Sequence, residues 1–263
     1  MLRAIISTLF LVPLASSSTP PQRDAHRNEI LYKNVTLRYD SSLANKYLSE
    51  TVPTSPQVSP TDKPDGVAPE HVMITLLETS FGGERDPRAL DGLARIYVYP
   101  TRDSRNEDFA ADFPTVTNAA ADLKTFLARK TPAATSEIPF MPWADMKQTF
   151  IAKRKLLRFR NGRGVMFLTQ YAQEIIPLNN ANLVMTFQGL TDDNAWYVSA
   201  VFPVQAKGLP SSEKLDDREE FLKAYDHYLT LTVERLERLP ANDFTPNVVL
   251  LENIIRSLKV SPP

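Results

Sequence analysis

Four consecutive β-strand patterns in the middle of the chain limit the possible folds more than any other feature. They cover residues 154–160, 164–173, 181–190 and 196–204. The first two flank Asn161-Gly162, a dipeptide that readily adopts the positive φ angles of a tight hairpin turn. The last two are joined by residues 191–194 (TDDN), whose Asp and Asn side chains favour turns. Because such short turns connect antiparallel neighbours, the sequence predicts an antiparallel meander.

Strand and helix patterns also occur outside this meander. Further strands are predicted at residues 29–32, 35–39, 71–78 and 95–99. Helices are predicted at 42–48 and 115–130, as a long inserted helix at 213–239 and as a short closing helix at 248–258. These patterns predict an α+β fold, with a single antiparallel sheet of about six to eight strands and helices packed on one face.

A proline-rich stretch separates two of the predicted strands. Residues 53–69 hold five of the 21 prolines in the chain. Proline lacks the backbone N–H that helices and central strands require, so this stretch is expected to be an extended surface loop. We expect residues 29–263 to form a single α+β domain that includes this loop.

The first residues have the pattern of a secretory signal peptide. Arg3 precedes an apolar run at 4–15, and small serines follow at 16–18. We therefore expect residues 1–18 to be a signal peptide and residues 19–28 a flexible segment. A retained membrane anchor is the alternative, but a span needs about 20 apolar residues. The sequence thus predicts an exported protein, periplasmic or extracellular, with no transmembrane segment in the mature chain.

Composition excludes several kinds of chemistry. The chain has no Cys, which rules out disulfides, thiolate metal sites and lipid attachment at a lipobox. With 30 basic and 31 acidic side chains, it has no overall field to attract nucleic acid. The three histidines, His26, His71 and His227, are far apart in sequence. We predict no metal, cofactor or catalytic residue, and no nucleic-acid partner. A lone glycosylation triplet at Asn34 matters only in a eukaryotic host.

One cluster of basic residues is a candidate for binding anions. Arg154, Arg158 and Arg160 recur at even spacing in a predicted strand, which would place them on one face. They could face a phosphate, an acidic polymer or lipid headgroups. The alternative is a solvated strand face, whose positive charges discourage edge pairing.

A proline-broken apolar segment is the second candidate. Residues 138–143 (IPFMPW) include Phe140 and Trp143. These rings could line an apolar ligand pocket. The alternative is that they plug the core from a loop.

Three segments of the predicted meander carry a resemblance. The sequences NGRGVMFLTQY at 161–171, TFQGLTDD at 186–193 and YVSAVFPV at 197–204 resemble a family of exported bacterial proteins and lipoproteins of unassigned function. The closing residues 244–260 are similar, at the level of fold, to PsbP-like α+β domains. The resemblance implies export and an α+β fold, but it carries no activity to this chain.

Three functional hypotheses follow from these observations. The leading one is an exported, non-enzymatic module of the cell envelope that binds an unknown small ligand or an envelope protein. One alternative is a hydrolase of envelope polymers whose carboxylates, drawn from Glu78, Asp145 or Glu174, converge only in the fold. The other alternative is a structural accessory subunit.

Overall fold

A computed structural model describes residues 27–54, 67–79, 93–129, 137–212, 215 and 217–262. The predicted signal peptide, residues 1–18, lies outside these residues. So do most of the segment 19–28 and most of the proline-rich loop 53–69.

The described residues form strands and helices in a mixed order along the chain. The strands are β1 (Arg27–Tyr32), β2 (Val35–Asp40), β3 (Ala44–Val52), β4 (His71–Thr79), β5 (Ala94–Pro100), β6 (Lys147–Gln148), β7 (Ala152–Phe159), β8 (Gly162–Ala172), β9 (Leu183–Thr191), β10 (Trp196–Pro203), β11 (Gln205–Ala206), β12 (Phe244–Thr245) and β13 (Lys259–Val260). The helices are α1 (Phe109–Asp112), α2 (Pro114–Ala128), α3 (Arg218–Arg238) and α4 (Val248–Ser257), with a 3₁₀ turn at Ala241–Asp243.

The main sheet of the described chain has eight antiparallel strands. Their order is β3-β4-β5-β10-β9-β8, and β6 and β7 both pair with the free side of β8. The predicted meander is confirmed as β7-β8-β9-β10. The predicted helix at 42–48 is wrong, because β3 covers most of this segment and pairs with β4. Pairing between strands distant in sequence has outweighed the local helical pattern.

Both faces of the main sheet are covered, which corrects the prediction of helices on one face. Helix α2 packs on one face with Val116, Leu123 and Phe126. The opposite face carries α4, the C-terminal part of α3 and the small sheet β1-β2-β13. The cause lies in the central strands: every residue of β9 is buried, so neither of its faces can be left to water.

The two predicted C-terminal helices differ in how much of their surface is buried. Helix α3 begins at Arg218, and residues 213, 214 and 216 of the predicted helix 213–239 lie outside the described residues. Its N-cap is Asp217, whose carboxylate accepts a hydrogen bond from the Glu220 N–H at 3.0 Å. Along α3 only Thr232 and Leu236 are buried among its residues, all of which are described. The shorter α4 buries Leu251, Ile254 and Ile255.

Candidate ligand-binding cleft

A buried polar network fixes the loop that carries Phe140 and Trp143. The Oε1 atom of Gln188 accepts hydrogen bonds from the Met141 N–H at 3.1 Å and from the Tyr197 hydroxyl at 2.8 Å. Its Nε2 atom donates to the Met141 carbonyl at 3.3 Å. Ser199 Oγ donates to the same carbonyl. Gln188 and Ser199 are fully buried, so the central strands hold the loop at its midpoint.

This anchored loop forms one wall of a cleft of about 520 Å³. The other walls are α2 and the paired strands β6 and β8. Trp143 lines the cleft with half of its surface exposed (50%). The Phe140 ring packs against that of Tyr171 at an interplanar angle of 31°, with ring centroids 4.1 Å apart. Both rings predicted to line a pocket therefore lie in one cleft.

Two polar atoms at the base of the cleft are buried and unpaired. The Tyr171 hydroxyl and Gln148 Oε1 have no hydrogen-bond partner in the described part of the chain. The two residues are cross-strand neighbours in β6 and β8, so their side chains project from the same face. Burial raises the pKa of Tyr171 well above its ordinary value, which keeps this hydroxyl protonated. Buried unpaired groups are rare and cost about 1–3 kcal/mol each, so both are candidate ligand contacts.

Among the residues that the structure describes, the charged side chains around the cleft balance one another. Those that line it are Asp122, Arg129, Glu137 and Lys147. Two acids and two bases create no strong field of either sign at the opening.

A smaller pocket of about 210 Å³ adjoins the cleft, and Trp143 and Thr115 line both. His71 also lines this pocket, and its ring lies 4.3 Å from that of Tyr99 between centroids. Its Nδ1 atom lies 2.9 Å from the Pro69 carbonyl and, as the only possible donor of this pair, carries the proton. Burial lowers the pKa of His71, so the imidazole is neutral at pH 7. The pocket is therefore apolar and uncharged.

A third cleft, of about 880 Å³, lies at the end of the sheet and also includes His71. It contains Asp103 and Asp193, whose pKa values are both lowered. The hydrogen bond from Arg105 lowers the pKa of Asp103, and the hydrogen bond from Thr191 lowers that of Asp193. A general acid needs the opposite shift. These carboxylates are suited to ion pairing and turn structure.

The three candidate carboxylates of a hydrolase gain no support. Glu174 forms an ion pair with Arg218 at 2.7 Å. Asp145 is exposed in the loop before β6, and the side chain of Glu78 lies outside the described residues.

The candidate arginines do not form one surface with Phe140 and Trp143. A β-bulge lies between Ala152 and Lys155, and Arg154 is half-buried there beside a separate cleft of about 320 Å³. Arg158 is exposed and pairs with Asp192 at 3.2 Å. Arg160 is exposed, and its backbone N–H donates to the Leu258 carbonyl at 3.0 Å.

Neighbouring lysines point toward the C-terminal helices. Lys155 Nζ lies 2.7 Å from the Glu252 carboxylate. Lys153 Nζ donates to the carbonyls of Glu237 and Leu239 at 2.6 and 2.5 Å. These two lysines, which flank Arg154, therefore attach the edge strand β7 to α4 and to the C-terminal end of α3.

Other predicted features can also be located. Asn34 Nδ2, the atom that a glycan would occupy, donates to the Ser261 carbonyl at 3.1 Å. Among the described residues, no group of His, Asp and Glu is placed to hold a metal ion. No helix in the same residues combines the length and apolar character needed to cross a membrane.

Comparison with known proteins adds no family or function. No protein-family model matches this chain, and no curated protein matches it.

Sequence reasoning missed Gln148, Tyr171 and Gln188. Of these, Gln188 could have been identified from the sequence, because a glutamine between apolar residues in a strand buried on both faces must find hydrogen-bond partners. Gln148 and Tyr171 could not, since the lack of hydrogen-bond partners for their side chains depends on which residues the fold places beside them.

Proposed function

We propose that this protein is an exported, non-enzymatic binding protein that takes up a small ligand in the cleft beside Trp143. The observation that carries the proposal is the half-exposed Trp143 on an anchored loop, in one cleft with two buried polar atoms that have no partner among the described residues. Export is supported by the basic, apolar and small-residue order of residues 1–18.

The anchoring of the loop favours binding over a merely structural role for these rings. Gln188 and Ser199 hold Met141 on the sheet, so Trp143 stays exposed two residues later instead of folding into the core. A pre-formed cleft of several hundred Å³ with a few polar groups is the usual form of a small-molecule site. Holding the loop in advance lowers the ordering entropy lost on binding.

Native mass spectrometry of the protein secreted by its own host tests this proposal. Wild type should carry a bound small molecule that Trp143→Ala loses. Tyr47→Ala is the matched control, because Tyr47 on β3 is similarly exposed (45%) and this variant should retain the ligand.

Two results would contradict the proposal. One is bare wild-type protein combined with turnover of a cell-wall polymer, which would favour the hydrolase. The other is a bound molecule that Trp143→Ala retains in full, which would place binding elsewhere. The same spectra test export, because cleavage after Ser17 or Ser18 fixes the mass of the secreted chain.

A further inference from the structure

We infer that the ligand of this cleft is a neutral saccharide chain, with one sugar ring stacked on Trp143 and the chain continuing toward His71. This inference rests on the proposed binding function and adds the chemical class and direction of the ligand.

The charges around the site argue for a neutral ligand. Within the described part of the chain, the cleft balances Asp122 and Glu137 against Arg129 and Lys147. The adjoining pocket is lined by no charged side chain in the described residues, since His71 is neutral. In both the cleft and the adjoining pocket, the described side chains therefore create no electrostatic potential that would favour an anion or a cation.

The mixture of aromatic and polar groups argues for a sugar. The negative face of the Trp143 ring attracts C–H groups that carry partial positive charge, and one face of a sugar ring presents such groups. The hydroxyl edge of the same ring supplies donors and acceptors. Gln148 Oε1 needs a donor, and the Tyr171 hydroxyl can donate or accept.

Two other ligand classes fit less well. A lipid chain requires an enclosed apolar cavity, whereas the apolar pocket here has only about 210 Å³ and the cleft beside it is lined by charged and polar as well as apolar side chains. A proline-rich peptide can stack on aromatic grooves. It has few backbone N–H groups, however, and so would leave the Gln148 oxygen without a donor.

The arrangement of adjoining pockets argues for a chain rather than a single ring. The cleft shares Trp143 and Thr115 with the apolar pocket. That pocket shares His71 with the cleft at the end of the sheet. A ligand stacked on Trp143 therefore has neighbouring depressions on the side of His71 into which further units can extend.

The test is a fluorescence titration of the full secreted chain. The two tryptophans are Trp143 and Trp196, so Trp196→Phe leaves Trp143 as the sole reporter. The probes are neutral α- and β-linked oligomers of glucose, N-acetylglucosamine, mannose and galactose, from one to six units. We expect one series to shift the Trp143 emission, with the hexamer binding at least tenfold more tightly than the monomer.

Variants then place the binding by calorimetry with that hexamer. Trp143→Ala should weaken binding at least tenfold and Tyr171→Phe about threefold. Tyr47→Ala should stay within twofold of wild type.

Failure of the inference and failure of the function give different results. If no saccharide binds but the host-derived molecule or a decaproline peptide binds in a Trp143-dependent manner, the saccharide assignment is wrong and the binding function stands. Equal affinity for the monomer and the hexamer would show that only one sugar ring is bound, and would overturn the inference that the ligand is a saccharide chain. If no probe and no host-derived molecule depends on Trp143, both proposals fail.

Discussion

Replacing Gln188 with leucine should destabilise the protein and release the Trp143 loop. The leucine matches the glutamine in size but removes every hydrogen bond that the amide makes. Besides its bonds to Met141 and Tyr197, Gln188 donates from Nε2 to Thr186 Oγ1 at 2.9 Å and to Ser199 Oγ at 3.1 Å. Three of the affected groups keep another partner. The single proton of the Tyr197 hydroxyl can go to the Pro139 carbonyl at 3.2 Å, Thr186 Oγ1 donates to the Ala200 carbonyl at 2.9 Å, and Ser199 Oγ donates to the Met141 carbonyl. The Met141 N–H keeps no side-chain partner among the described residues.

The expected loss of stability depends on the difference between the Met141 N–H, which loses its partner, and the other groups, which keep one. A buried donor left unpaired costs about 1–3 kcal/mol. Hydrogen bonds lost by groups that remain paired elsewhere cost less, and the apolar leucine offsets part of the total by its own burial. With the smaller losses and this gain taken to offset each other, we expect the free energy of unfolding to fall by about 1–3 kcal/mol.

Equilibrium urea unfolding, followed by circular dichroism, measures this loss, and an unchanged m-value shows that the folded state is as compact as before. In the Trp196→Phe background, Gln188→Leu should also increase the quenching of Trp143 fluorescence by acrylamide.

Gln170→Leu is the matched control for Gln188→Leu. Gln170 is equally buried, but its amide bonds the Asn179 N–H at 3.3 Å and the Pro177 carbonyl at 3.5 Å in a different loop. Gln170→Leu should lose stability without changing the acrylamide quenching of Trp143. A loss below about 1 kcal/mol for Gln188→Leu, or the same Trp143 change in Gln170→Leu, would refute the anchoring role.

Three further predictions concern stability and pH. Tyr171→Phe removes a hydroxyl without a partner in the described chain, so unfolding free energy should stay level or rise by about 1 kcal/mol; a loss of that size would show that the hydroxyl is bonded. Gly164→Ala would place a Cβ 2.2 Å from the backbone oxygen of Gln188, and urea unfolding should reveal a loss of about 1–3 kcal/mol or more, whereas wild-type stability would disprove this close approach. Because burial lowers the pKa of His71 below its ordinary 6.5, the unfolded chain takes up the proton first, so stability should decrease as pH falls below 6.5 toward the lowered value. His71→Gln should flatten that part of the pH profile, and an unchanged slope would assign it to other groups.

Part of the candidate site could be predicted from sequence. The segment 138–143 combines large apolar residues with prolines, which indicated a loop held against the core and named Phe140 and Trp143 as pocket residues. The polar atoms below them could not be named in this way. Whether a glutamine or tyrosine is paired depends on neighbours from other elements, and Met141 and Gln188 are 47 residues apart.

The basic strand shows how a strand pattern can mislead. Regular alternation placed Arg154, Arg158 and Arg160 on one face, but alternation holds only while the strand is regular. Lys153 adopts a positive φ of 54° at the bulge, and this local change separates Arg154 from the other two.

The sequence by itself determined the antiparallel meander and helix α2. Tight-turn residues and side-chain periodicity act over a few neighbouring positions, and both are strong in these segments. Only the tertiary structure decided that β3 is an edge strand, that helices cover both sheet faces, and that Trp143 shares a cleft with two polar atoms that find no partner among the described residues. Each of these outcomes depends on pairing or burial between segments far apart in sequence, and local patterns carry no information about which distant partner a residue will meet.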